Sequence, residues 1–499
     1  VRAIGRQPQR APDSAPVHYE HHRPEQTTLY CLVQQHAASF VAHTEASTGA
    51  ELPRFIKDEF DAFLDCGILA RGFLRLRCGE CGHDKLLAFS CKRRGFCPSC
   101  GARRMSQTAA HLVDHVIPHV PVRQWVLSLP IPLRLLLAAQ PELVTPVLQV
   151  VQRVVTRHLL AAAGLVADEG QGGAVTLIQR FGSAANLNIH LHCLILDSVY
   201  RCAADGVRGF IEAGAPPDDE LDALLHTIIA RLMKMLTRRG VLVEDVGQTY
   251  LAGPDADGEE SRTLRPLQAA AITYRNAFGP RAGQKVLTLR GAMPREDRVR
   301  QPLCADIDGF SLHAAVRVEA HDRKRLDQLC RYITRPALSD ERVRLNAAGQ
   351  VELKLKTPWR DGTTHLVMSP LEFMQRLAAL VPRPRLHLIR FHGVLAPNAK
   401  LRPLVVPQGP QVQQAASEAR AAAECEIERL QARPNRISWA RLLKRVFDID
   451  MQHCPNCGAG DLKIIAAILE RTVIEKILTH LGLNPQPPPR GRAREIGQH

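Results

Sequence analysis

Two C-x-x-C pairs fifteen residues apart, Cys78/Cys81 and Cys97/Cys100, constrain the fold of this chain more than any other stretch. Four thiolates on two glycine-flanked turns match the tetrahedral cage of a structural zinc ribbon. The spacing predicts these four as ligands of one Zn²⁺, with Cys91 or His83 as substitutes or as ligands of a second ion. Such a site contributes on the order of 10 kcal/mol to folding, so the metal is part of the domain's stability. Cys454 and Cys457 make a third pair beside His453 with no second pair nearby, and Cys425 or a distant histidine would have to complete a zinc site there. The other cysteines, Cys193 among them, are expected to be small buried hydrophobes. Fourteen cysteines, no signal-peptide pattern and no run of eighteen apolar residues favour thiols and metal ligands over disulfides, and a cytoplasmic protein with no membrane partner.

A chain of 499 residues holds several domains, and the sequence reads as α+β throughout. The expected order is a disordered leader over 1–26, a zinc-ribbon module with helical flanks over 27–120, and a domain of antiparallel sheet with packed helices over 121–340. A β-rich extension over 341–404 follows, then a linker or exposed helix over 405–436, a helical region around the third cysteine pair over 437–485, and a disordered tail over 486–499. Within the second domain a helix-rich connection ends at Gly164. After it the period changes to two, and "GAVTLIQRF", the turn "GSAAN" and "LNIHLHCLILD" read as a hairpin. A helix over 218–240, an acidic loop over 253–262, a strand "GFSLHAAVRVEA" and the helix "HDRKRLDQLCRYI" complete it. The extension reads as a β-meander before a helix that opens at Pro370.

His190 and His192 flank one leucine on the second hairpin strand, so their rings share a face and can converge on one ion. A hairpin turning near residue 184 brings Gln179 opposite His190. Two imidazoles and an oxygen donor suit Mg²⁺ or Mn²⁺ held together with a phosphate oxygen. The phosphodiester then needs a nucleophile. Of six tyrosines, only Tyr332 sits in a basic amphipathic helix, among Arg323, Lys324, Arg325, Arg331 and Arg335. A free phenol is only about 0.1% ionised at neutral pH, so activation by nearby cations and a metal must recover roughly 4 kcal/mol. Gln328, one turn earlier, competes with Gln179 as third ligand. The net charge of +15, from 65 Lys+Arg against 50 Asp+Glu, favours an anionic polymer as partner. Arg93, Arg94, Arg103, Arg104, Arg331, Arg335, Arg360 and Arg390 are the expected DNA contacts, the last two within the motifs "WRDGTTH" and "HLIRFHG".

The cysteine-rich module, "QRFGSAANLNIHLHCLILD", "RYITRPALS", "KTPWRDGTTHLVMSPLEFMQRLAALVPRPRLHLIRFHGVLAPN" and "HCPNCG" together resemble the rolling-circle transposases of the insertion sequence 91 family, especially the ISCR type, over residues 28 to 485. The resemblance implies a zinc-binding N-terminal domain followed by a HUH endonuclease domain, named for its His-hydrophobic-His. It further implies that His190 and His192 bind the divalent ion and that Tyr332 attacks single-stranded DNA at transposon ends and target site, forming a 5′-phosphotyrosyl link. Some members carry two tyrosines four apart; Pro336 stands here at the second position, so the chain is similar to the single-tyrosine type. Without a Walker-type motif, unwinding falls to host replication proteins or a helicase. A plasmid replication initiator or relaxase would use the same chemistry, and a non-enzymatic zinc-ribbon regulator would need only the cysteines and the charge. A carboxylate triad of Asp197, Asp306 and Asp308 leaves both histidines unexplained, and "HLIR" lacks the downstream tyrosine a tyrosine recombinase requires.

Overall fold

The computed structural model describes residues 23–203, 206–245, 248–251, 259–291, 302–407, 442, 444–446, 452–458 and 460–494. Most of the leader, most of the acidic loop, most of the 405–436 segment and Cys425 lie outside them.

The chain begins with helices α1 (Thr28–Thr48) and α2 (Arg54–Asp65), the hairpin β1 (Phe73–Cys78) and β2 (Asp84–Ala88), and helix α3 (Pro98–His115). The Thr27 hydroxyl caps α1 by accepting from Tyr30 N, and Gly49 ends it in the left-handed region that glycine enters without strain. On α2 the apolar residues Ile56, Phe60 and Phe63 recur at helical spacing, and the Phe60 ring packs on Phe40 of α1 and on Phe96.

A six-stranded antiparallel sheet dominates the rest. Its strands are β3 (Val122–Ser128), then, after helices α4 (Ile131–Ala139) and α5 (Val144–Ala162) and the short β4 (Gly170–Gln171), the hairpin β5 (Gly173–Phe181) and β6 (Leu187–Leu196). Strands β7 (Ser198–Ala203) and β8 (Gly206–Glu212), helix α6 (Asp218–Arg238), the pair β9 (Leu242–Asp245) and β10 (Gln248–Leu251), helix α7 (Glu259–Ile272) and β11 (Leu287–Arg290) lead to β12 (Cys304–Ile307) and β13 (Phe310–Val318). Helix α8 (Arg323–Thr334), strands β14 (Val343–Leu345), β15 (Val351–Lys354) and β16 (Thr363–Met368), helix α9 (Pro370–Leu380) and β17 (Ile389–Gly393) come next. The sheet runs β12-β13-β3-β6-β5-β17. Residues of α4, α5 and α6 bury one face, and α3 and α8 cover the other with Leu112, Val113, Leu326, Leu329 and Ile333. No described helix is long and apolar enough to cross a membrane.

Three expectations change here. The segment read as a helix-rich connection contains the central strand β3, whose Arg123 is unusual in a buried strand but donates to both oxygens of the equally buried Asp197 at 2.9 and 2.8 Å. Arg317 donates to the same carboxylate at 2.7 Å, so Asp197 is committed to arginines and not to a metal triad. The extension is not a separate layer: β17 joins the central sheet beside β5, while β14 to β16 share a core with α1, α2, α7 and α9. Nor does the described part of the tail stand free. After helix α10 (Arg402–Val405), strand β18 (Leu462–Ile468) pairs antiparallel with β1, helix α11 (Arg471–His480) packs on Phe73, and residues 489–494 lie along α1, where Gly491 N donates to Gln34 O at 2.9 Å.

Candidate functional site

The structure divides the predicted zinc cage between two clusters. Cys97 and Cys100, at the start of α3, meet Cys66 at the end of α2 and Cys91 after β2. Cys78 and Cys81, on the β1–β2 turn, meet Cys454 and Cys457 from the other end of the chain. Four sulfurs about 2.3 Å from a zinc ion stand about 3.8 Å apart along the tetrahedral edges. The Cys66–Cys100, Cys66–Cys97 and Cys78–Cys457 separations are each 3.7 Å, Cys81–Cys454 is 3.6 Å and Cys91–Cys100 is 3.3 Å, so both sets fit that ion. The backbone N–H groups of Cys91 and Lys92 donate to the Cys66 and Cys100 sulfurs at 3.3 and 3.2 Å, as thiolates demand. His83 belongs to neither cluster; its carbonyl accepts from Cys78 N. Cys66 was not picked from the sequence, because a lone cysteine at a helix end gives no spacing signal.

On the hairpin, β5 and β6 pair so that Gln179 faces His190 and Leu177 faces His192. Gly182 allows the turn: a Cβ there would stand 2.5 Å from Asn186 Oδ1. The two imidazole centroids are 4.8 Å apart. His190 Nδ1 donates to Asn188 O at 3.0 Å, since a carbonyl can only accept, and this leaves its Nε2 lone pair free. Gln124 Nε2 of β3 donates to His192 Nδ1 at 2.7 Å, and the buried His192 Nε2 has no partner among the described residues. The same amide exchanged end for end would accept from Nδ1 and set the tautomer seen at His190, and in either orientation Gln124 orients the ring, a role that sequence reading missed. Burial holds the His190 imidazole down to about 4 and the His192 imidazole well below its usual range, with the Arg335 charge adding to both. Two neutral rings, with the His190 Nε2 lone pair free and that of His192 freed by the amide exchange, would be a donor set suited to a divalent ion.

Helix α8 meets this hairpin at its C-terminal end. Gln179 Nε2 donates to Ile333 O at 2.6 Å, one residue beyond Tyr332, which leaves the amide oxygen for another partner. Gln179, not Gln328, is in cross-strand register with His190. Tyr332 is half-exposed, and its ring lies under two cations, the Arg335 guanidinium and the Lys356 ammonium, each 4.5 Å from the centroid. Arg335 also reaches the Phe181 ring of β5 at 5.9 Å. Burial, then Arg335 and Arg342, bring the Lys356 amine down to about 8. Helix α8 ends at Thr334 because Arg335 precedes Pro336 and takes an extended conformation.

The predicted DNA-contacting arginines separate into groups. Arg93, Arg94, Arg104 and Arg335 line one cleft between the cysteine module, β5 and the end of α8. Arg331 pairs with Asp327 at 2.8 Å, and Arg323 is committed to the carbonyls that end α3, Pro118 at 3.0 Å and Ile117 at 2.8 Å among them. Arg103 is on α3, Arg360 is exposed in the turn before β16, and Arg390 is on β17 opposite Thr176.

Residues 32–129 match the family model described as "Transposase zinc-binding domain", of the insertion sequence 91 type, and residues 173–402 match the one described as "Putative transposase". The first spans the Cys66, Cys91, Cys97 and Cys100 cluster but not Cys454 or Cys457; the second spans Gln179, His190, His192 and Tyr332. No curated protein and no solved structure matches the chain significantly.

Proposed function

We propose that this chain, which carries a transposase zinc-binding domain and a transposase domain, is a rolling-circle HUH transposase that nicks and rejoins single-stranded DNA at the ends of a mobile element. The observation that carries the reading is the bond from Gln179 to Ile333 O, because it ties the strand facing His190 to the helix turn holding Tyr332. His190 and His192, with the Gln179 amide oxygen, would hold Mg²⁺ or Mn²⁺. When bound, that ion polarises a non-bridging phosphate oxygen.

The chain's own residues account for the rest. Tyr332 Oη attacks phosphorus and loses its proton, the bond from phosphorus to O3′ breaks, and the released 3′ oxygen takes up a proton. The 5′ phosphate stays on the tyrosine, so the bond energy is conserved and the 3′-hydroxyl can reverse the step without ATP. Arg335 and Lys356 over the ring put two cations beside the phosphate that Tyr332 would attack. Gln124 and Asn188 fix the two rings from behind. Pro336 where a second tyrosine stands in other members leaves one nucleophile per chain, so the second transfer falls to the DNA 3′-hydroxyl or another subunit. Host replication proteins or a helicase would supply the single strand.

Labelled single-stranded element ends incubated with the protein and Mn²⁺ should give a covalent adduct that survives denaturation, and Tyr332→Phe should abolish it while binding remains. An unchanged adduct in that variant rejects the tyrosine. Absence of any adduct in wild type, with specific duplex binding, supports a zinc-ribbon regulator instead. A replication initiator would form the adduct on plasmid origins and not on element ends.

A further inference from the structure

Arg180 follows Gln179 on β5 and is 6% exposed, yet its Nε has no partner among the described residues. The charges that bear on it are two more guanidinium groups, Arg383 and Arg94. Those two have partners of their own: Arg383 pairs with Glu260 at 2.7 Å, and Arg94 donates to Leu386 O and Arg383 O at 2.5 and 3.3 Å. Arg180 opens on the cleft shared with Arg93, Arg94, Arg104 and Arg335, about 810 Å³ counting its mouth, whose lining contains no aspartate or glutamate. Glu59, behind the cleft, accepts from Gly95 N at 2.7 Å and offsets Arg93 and Arg104. A buried cation whose neighbours are cations is retained at a cost that only an anion relieves.

The geometry points to a phosphate subsite centred on Arg180, which clamps a backbone phosphate of the DNA strand between the cysteine module and the catalytic sheet. The inference rests on the proposed nuclease reading for its ligand, since Gln179, Ile333, Thr334 and Arg335 border the same cleft and Tyr332 immediately precedes Ile333 in α8. A phosphate held here neighbours the one attacked. The apolar walls, Leu177, Phe181 and Leu388, accept sugar and base without reading sequence.

The test uses the full chain, a fluorescent single-stranded oligonucleotide and a series of salt concentrations. Each phosphate contact on a single strand contributes about 0.7 to the slope of log affinity against log salt. Arg180→Met should lower the slope by about that amount and weaken binding at low salt several-fold, while Arg180→Lys keeps most of the slope. Without DNA, Arg180→Met should melt at or above the wild-type temperature, because it removes an unpaired buried charge, and inorganic phosphate should stabilise wild type more than the variant. An unchanged slope overturns the subsite, whatever inorganic phosphate does. A lower melting temperature without anion overturns it as well, since Arg180 would then be a packing residue. The Tyr332→Phe protein separates this from the nuclease reading, because it should keep the full slope: adduct formed by Tyr332→Phe rejects the nucleophile without touching Arg180.

Discussion

The two cysteine clusters each bring four thiols together but hold opposite positions in the fold. One draws Cys66, Cys91, Cys97 and Cys100 from a single stretch, with three of the four buried, and sits directly behind the cleft at the head of α3. The other joins Cys78 and Cys81 to residues 373 and 379 positions away, with Cys81 and Cys457 exposed, at the junction of β1 and β18. The first cluster lies at the head of α3, which packs on α8, so a metal held there would be continuous with the helix proposed to carry the nucleophile; the second clasps the chain's far segment to its near one. Identical coordination chemistry therefore serves the site in one place and chain closure in the other.

Breaking the first cage should have the largest effect. Cys97→Ser should lose one of two zinc equivalents by elemental analysis, destabilise the protein by several kcal/mol as other structural zinc sites do, and abolish adduct formation. Cys454→Ser should also lose one zinc, but with β18 and α11 opened to protease and adduct formation kept within about tenfold; equal loss in both variants would erase the contrast. A smaller effect is expected where the first cluster's helix meets the end of α8. A Cβ on Gly101 would lie 2.6 Å from Pro336 Cβ, so Gly101→Ala should cost about 1–3 kcal/mol of overpacking and slow single-turnover nicking with zinc content unchanged. The smallest concerns the tail, where Arg490 bridges Asp61 and Asp65 at 2.6 and 3.1 Å. These pairs are solvent-exposed, so Arg490→Ala should change stability by about 1 kcal/mol or less and show mainly as faster amide exchange at Gly491.

The hairpin was legible from alternation alone, and with it the register of Gln179 against His190. So were the long helices α5, α6 and α8, whose apolar spacing is local. Strand β3 was not, because its Arg123 and Gln124 read as polar until Asp197 and His192, about seventy residues on, supply their partners. The zinc pairing failed for a related reason: adjacent C-x-x-C turns suggest one cage, yet β1 takes the first turn to β18 while α2 brings Cys66 to the second. Lys356 carried no signal, since its relation to Tyr332 spans two secondary-structure elements.

Capping, periodicity and motif spacing act over a few residues, and they determined the hairpin and the long helices, which face holds the imidazoles and which tyrosine is surrounded by basic residues. Which sulfur meets which, which guanidinium stays unpaired, and which glutamine stands behind which histidine were decided by tertiary structure. Each depends on sheet pairings and helix contacts between residues tens to hundreds apart, where burial and electrostatics select among partners that no local pattern can distinguish.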